Sequence, residues 1–397
     1  MKTSILRVVG GLAVGLTLLA ACKKTEDITV TSAPQPASNP IKTPVIPCGG
    51  VKGTLLSSVG TYTLSCDVRV AKKDTLYIQK GVTVNVANNS AFFIDGTLII
   101  EGTASSPVTI TSPLAKQGSW GGFQCDSAQA VSIKWAHINY AGGPNATGSP
   151  RGTIRISPKR AVGTVKVLIQ DSWLLAGTDD AISLFGSNVV VDVQRNTVEY
   201  EGTTDGDAIN LKSGVTGTVA YNVLWSGAGT GIKLETSPTV LFPQTNVKVY
   251  NNTVVASGFR RGAGEPGRGI SADKFAQGDI FNNLLVNDYY GLDINPVADV
   301  KNVRYGNNYF YTAIDSTRKY FYPAGSVGKA QPTDIISTSK TDKDPLFVRL
   351  AATTDPALQV DPNDFHLQAA SPAKGKGNPT YNNDIGAYTS DGKGNQH

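Results

Sequence analysis

The chain has 397 residues and a formal charge of +5, too mild a balance for a nucleic-acid footprint. Charged residues make up 17% and glycines number 42. That mix suits buried strands joined by tight turns and argues against helices.

In chain order the first element is a targeting segment. Lys2 and Arg7 form a basic region, Val8 to Leu19 an apolar run, and Ala20-Ala21 a small-residue cleavage site. The run is too short, and too closely followed by Lys23 and Lys24, to make a good membrane span. Leu19-Ala20-Ala21-Cys22 resembles a bacterial lipobox. The resemblance implies cleavage after residue 21 and a lipid on Cys22, and loss of Lys2 and Arg7 then lowers the charge to +3. Each buried acyl CH₂ contributes about 0.8 kcal/mol, so several chains on Cys22 would hold the protein to a membrane. Lys23-Lys24 lacks an inner-membrane-retention aspartate, so an outer-membrane lipoprotein is expected.

Residues 22–47 are rich in Thr, Ser, Pro and Ala and read as a flexible tether. Export implies an oxidising compartment. A Cys48–Cys66 bridge with Cys125 as a buried thiol is then expected, with lone cysteines in loops as the alternative.

From Thr61 to Ser112 short strands alternate with glycine turns: Leu76-Tyr77-Ile78, Val82 to Val86, Phe92-Phe93-Ile94, Leu98-Ile99-Ile100 and Val108-Thr109-Ile110. Val131 to Ile138 and Val165 to Ser172 continue the series. Between Gly177 and Pro296 the segments repeat openly: Ala181-Ile182-Ser183-Leu184, Ala208-Ile209-Asn210-Leu211, Gly231-Ile232-Lys233-Leu234, Gly269-Ile270-Ser271-Ala272 and Gly291-Leu292-Asp293-Ile294. A second series is marked by Asn196, Asn222, Asn252, Asn283 and Asn308, spaced 26, 30, 31 and 25 residues apart. A recurrence of this length means stacked supersecondary units. Strands this short gain stability only by stacking coil on coil, about 4.8 Å apart. The expected fold is therefore all-β: a single parallel β-helix over 48–340 with a C-terminal turn or cap over 341–397. The asparagines are placed at a turn, where αL backbone favours them and their amides bond along the stack. A β-sandwich would need hairpin turns that are scarce here.

The run Ile78-Gln79-Lys80-Gly81-Val82-Thr83-Val84, then Gly96 to Thr103 and Pro107 to Ser112, resembles the opening coils of exported right-handed parallel β-helix proteins of the pectate-lyase-like kind. Gly118-Ser119-Trp120-Gly121-Gly122 fits the same pattern.

Strand alternation divides the repeat into an inside and an outside. Ile182, Ile209, Ile232, Ile270 and Leu292 point inward. One outward column holds Ser183, Asn210, Lys233, Ser271 and Asp293. The next holds Phe185, Lys212, Glu235, Asp273 and Asn295. Asp179-Asp180, Asp205, Asp207, Arg260-Arg261 and Arg268 flank the same sheet. Mixed charges at rung spacing suit a polysaccharide laid across the coils.

The pectate-lyase-like resemblance implies a Ca²⁺-dependent lyase. Asp180, Asp205 and Asp207 would be the calcium ligands and Lys212 or Lys233 the base. Arg268 would sit on a sugar carboxylate, and Asn210, Glu235, Asp273 and Asp293 would contact substrate. Glycoside hydrolysis of the polygalacturonase-like type, with Asp180 and Asp207 as its carboxyl pair, rests on Thr178-Asp179-Asp180-Ala181-Ile182-Ser183. The histidine and Arg-x-Lys element expected with it are missing. A glycan-binding or adhesion module without catalysis is the other alternative, and these aspartates also suit plain turn caps.

Gly262 to Gly267 spells GxGxxG, but Pro266 and the absence of a βαβ unit exclude a dinucleotide site. His137 and His366 lie outside the charged stretch, which leaves no Ser-His-Asp triad, and zinc lacks Cys/His spacing. Trp120, Trp135, Trp173 and Trp225 are assigned mostly to core or corner packing.

Overall fold

The structure is a computed structural model that describes residues 39–158, 163–237, 243–262, 264–350 and 363–397. The targeting segment, Cys22 and the tether as far as residue 38 lie outside the described residues. Three parallel sheets of 11, 11 and 10 strands run through the chain. Through the body, neighbours in each sheet lie three strands apart in sequence. Every coil therefore gives one strand to each sheet, and the molecule is a parallel β-helix. Parallel crossovers turn right-handed. Among the described residues the one helical turn is a 3₁₀ segment at Arg318–Tyr320.

The third sheet carries the repeat. Its later strands are Ile182–Phe185, Ile209–Lys212, Ile232–Glu235, Arg268–Asp273 and Tyr290–Ile294. Ile182, Ile209, Ile232, Ile270 and Leu292 pair in register and are all 0% exposed. Stacking like on like buries each side chain at about 25 cal/mol per Å².

The asparagine series sits at the turn between the first and second sheets and bonds along the stack, as expected, but does not itself take the αL backbone. Each of Asn196, Asn222, Asn252, Asn283 and Asn308 is 0% exposed and heads a strand of the second sheet. The residue before it takes the αL turn: Arg195, Tyr221, Asn251, Asn282 and Asn307 have φ between 51° and 58°. That turn aims the following amide inward. Asn222 Oδ1 accepts from both the backbone N–H and the Nδ2 of Asn196, at 3.0 Å each. Asn222 Nδ2 donates to Val193 O and to Asn252 Oδ1 at 3.0 and 2.9 Å. The pattern repeats through Asn252 and Asn283 to Asn308, whose N–H meets Asp334. Asn222→Ala leaves the buried Asn196 N–H without its acceptor and removes the amide bonds of Asn222 to Val193 O and Asn252, a cost of about 3 kcal/mol in urea unfolding. A loss below about 1 kcal/mol would show that the ladder contributes little.

The described residues of 341–397 pack along the side of the stack, not across its end as expected. Ile335–Ile336 still adds a rung to Tyr309–Tyr311. The chain then turns back along the outside of the second sheet. Phe347, Phe365, Leu367, Ile385 and Ala387 pack on Val223, Trp225, Val255, Leu284 and Tyr309. The αL asparagines hold this strap: Asn307 Nδ2 donates to Lys376 O, Asn282 to Asn382 O and Asn251 to Asp384 O. The His397 ring packs tilted against Trp173, with centroids 3.9 Å apart. In each Asn-Asn pair, then, the first residue binds the strap and the second builds the ladder.

Cys48 and Cys66 form a disulfide with Cα atoms 5.6 Å apart. Closing a loop of this size contributes about 3 kcal/mol. Cys125 is a buried free thiol, and burial pushes its pKa up.

Candidate active site

The outward columns pair as the alternation requires. Ser183, Asn210, Lys233, Ser271 and Asp293 form one row, and Phe185, Lys212, Glu235 and Asp273 the next. The face is not an open groove. Ser183, Asn210, Ser271 and Asp293 are at most 8% exposed, because charged side chains from the preceding turns fold down on it.

Asp180 and Asp207 come from one corner position on successive coils, just before Ala181 and Ala208, and Thr230 holds that position in the next coil. Asp180 Oδ1 accepts the Asp207 N–H at 2.7 Å, and Asp207 Oδ1 accepts the Thr230 N–H at 2.7 Å. Each aspartate thus caps the turn of the next coil. Two glycines make room. At Gly206 φ is 115° and a Cβ would meet Asp179 C at 2.7 Å; at Gly229 it would meet Asp207 Oδ1 at 2.7 Å.

Asp180 is consumed by this work, since its Oδ2 also accepts from Ser183 Oγ at 2.7 Å and Asn210 Nδ2 at 2.9 Å. Asp205 is paired with Arg261 at 3.2 Å and accepts from the Gly206 N–H at 2.8 Å. Asp207 faces Lys233 at 3.8 Å and Arg261 at 3.9 Å. Calcium asks for six to eight oxygens. Here both oxygens of Asp180 and Asp207, and Oδ1 of Asp205, already meet N–H donors, a hydroxyl or cations, and no group of three His, Cys, Asp or Glu that could hold a metal occurs among the described residues. The three residues do not fit a calcium ion.

Arg268 does not reach outward either. Its Nε holds Asp293 at 2.9 Å and its guanidinium donates to Pro266 O at 2.7 Å. Asp273 caps the next residue through the Lys274 N–H at 2.7 Å. A cleft of about 50 Å³, bordered by Thr230, Lys233, Arg261, Arg268 and Asp293, opens beside these groups.

Lys233 is the centre. Its Nζ lies 3.8 Å from Asp207 and 3.7 Å from Glu235 Oε2, so the two carboxyls stand within twice that distance of one another. Their environments differ. Burial, then the charge of Asp180, pushes Asp207 up to about 6 against the pull of Lys233 and Arg261. Burial would raise Glu235 too, but the Lys274 hydrogen bond at 3.0 Å, with Lys212 and Lys233, holds it below the ordinary range. Glu235 Oε2 and Asn210 Oδ1 are buried acceptors with no hydrogen bond.

Sequence reasoning passed over Lys274, which completes the Glu235 cluster, and Glu201, a carboxyl at the corner before the third sheet. Glu201 is 1% exposed and neither oxygen has a hydrogen bond. Burial, with Asp180 and Asp179 adding to it, lifts it to about 8. The corner column Ala141, Gly177, Glu201, Gly227, Ser257 and Asp288 is visible only once the coils are in register. Residues 260–261 reach back over the earlier coils: Arg260 donates to Glu201 O at 2.8 Å and stacks on Tyr200.

Residues 51–147 match the family model for a pectate-lyase like beta helix domain. The chain is a parallel β-helix whose early coils are similar to that family. No curated protein and no solved structure matches it. The likeness suggests a carbohydrate-related function. The matched part of the helix is its early coils and ends before the charged rungs of the third sheet, so the chemistry of those rungs rests on their own geometry.

Proposed function

We propose that this protein binds a carbohydrate chain across the third sheet and hydrolyses its glycosidic bond with Asp207 as acid and Glu235 as base. One observation carries the reading: two carboxyls flank Lys233, one held above its ordinary pKa and the other below. Opposed environments of this kind assign acid and base. The upper bound that the two Lys233 contacts set on their separation is compatible with the lower end of the roughly 6.5–9.5 Å used by inverting glycosidases, where a water must fit. Asp207 would give its proton to the glycosidic oxygen as the carbon–oxygen bond breaks. Glu235 would take a proton from the water that adds to the anomeric carbon. Calcium-assisted elimination, with Lys212 or Lys233 as base, is less well supported, because the acids that would hold the ion are engaged with one another's coils.

Glycan binding without turnover is the second reading. It is favoured by the small cleft and by the ion pairs that occupy Lys212, Lys233 and Arg268. The purified chain incubated with a panel of neutral and acidic polysaccharides decides between them. New reducing ends without an unsaturated product support hydrolysis, and new reducing ends matched by an unsaturated uronate support elimination. Retention on a glycan column without product supports the binding module.

The same proposal places the protein on the outer membrane through a lipid on Cys22. Labelling cells with an alkyne fatty acid should tag the wild-type chain and not Cys22→Ser, which should leave the membrane fraction. Equal membrane retention of the variant would overturn the anchor.

A further inference from the structure

A second recess lies on a different face, at the early coils, where the first sheet bends into the second. Its volume is about 450 Å³, within the range of small-molecule sites. One wall is Trp135, a half-buried residue that turns the chain between strands Ala130–Lys134 and Ala136–Asn139 with φ at 51°. Trp173 packs against it with ring centroids 5.9 Å apart, which fixes the indole.

The recess is open because the coil before supplies no side chain at this point. Lys134 pairs with Glu101, so Gly102 sits beside Trp135. A Cβ there would fall 2.1 Å from the Trp135 carbonyl oxygen, and only glycine fits. The remaining wall is polar. Glu101 and Lys134 are adjacent on the first sheet, and Gln79 pairs with Glu101 on the other side. The Tyr77 hydroxyl donates to Glu101. Gln79 Oε1 accepts the Ser57 N–H at 2.8 Å, which turns its amide N–H₂ to other use. Lys134 has no ion pair within 4 Å among the described residues.

We propose that this recess binds a pyranose sugar. A fixed aromatic face takes the apolar C–H face of a sugar ring. A carboxylate acceptor, an ammonium and an amide around its edge match hydroxyl groups, which both donate and accept. The site is separate from the Lys233 cleft and does not depend on turnover there.

The test is a titration of the full chain with glucose, galactose, mannose, xylose, their disaccharides and galacturonic acid, followed by tryptophan fluorescence and calorimetry. It is run in wild type and in an Asp207→Asn, Glu235→Gln background that silences the third sheet. At least one sugar is expected to saturate in both backgrounds. Trp135→Ala should weaken it roughly three- to ten-fold. Since Trp135 also packs on Trp173, Glu101→Gln and Lys134→Ala serve as variants that leave the indole in place, and each should weaken binding with the melting temperature unchanged. No saturable response up to roughly 50 mM sugar, a bound weaker than any useful site, would overturn the proposal. So would binding that all three variants leave intact. Binding lost only in the Asp207, Glu235 background would move the ligand to the third sheet, which overturns this site and supports the other.

Discussion

Asp207→Asn is expected to lower turnover on the responsive polysaccharide by roughly 10²–10⁴-fold, the usual worth of a positioned general acid. Glu235→Gln should cost a similar factor. Both variants remove a charge from a paired site, so the rate alone would not separate catalysis from support. The pH profile does. Asp207 must keep its proton, and it does so up to about 6. Activity should therefore fall as pH rises through that value. Glu235 must be ionised and is held below its ordinary 4.5, so the acid limb should lie lower still. Lys233 depresses both carboxyls. Lys233→Ala should shift both limbs to higher pH, a displacement that a purely structural lysine would not produce. An Asp207→Asn enzyme within threefold of wild type, or limbs that ignore Lys233, would remove the acid–base assignment.

The second large effect is on stability. Glu201 is protonated in the folded chain until about pH 8, whereas in the unfolded chain it ionises near 4.5. Between those values the folded state binds the extra proton, so stability is greatest at the acid side and falls as pH rises through the window. Fully expressed, the difference is roughly 4–5 kcal/mol. Asp180 and Asp207 are shifted in the same direction by burial and by neighbouring carboxylates, and add to the slope. Glu201→Gln is neutral at every pH and keeps the shape. Urea unfolding at about pH 5.5 and pH 8.5 should show a steep loss in wild type and a much shallower one in the variant. Equal slopes would mean that Glu201 ionises without penalty in the folded chain. Arg260 lies beside it and pulls the other way, so Arg260→Gln should steepen the wild-type loss.

Much of the architecture could be read from the residues alone. A strand's period of two decides which of Ile182-Ser183-Leu184 points inward, and that choice propagates to every rung once segments recur. Hence the inward stack and both outward columns fell in the right register. The asparagine series was legible as a repeat, but its backbone was not. Whether Asn251 or Asn252 takes the αL turn depends on which side chain has partners inside the helix, and those partners sit on coils some 30 residues away. The C-terminal segment misled for a related reason. Its apolar residues could cap an open end or cover a sheet, and composition does not distinguish them.

The charged site shows the same division. Sequence determined that Lys212, Lys233 and Glu235 share one sheet with Asp180 and Asp207 at its edge, because side-chain alternation and the repeat are local properties. It could not determine what each carboxylate touches. Only the stacked coils showed Asp180 and Asp207 capping successive turns, which spends the oxygens a calcium ion would need. Only they brought Asp207 and Glu235 to Lys233, and buried one more deeply than its charge partners offset. Position on a face follows from covalent periodicity, whereas burial, pairing and proton affinity follow from neighbours one full coil away.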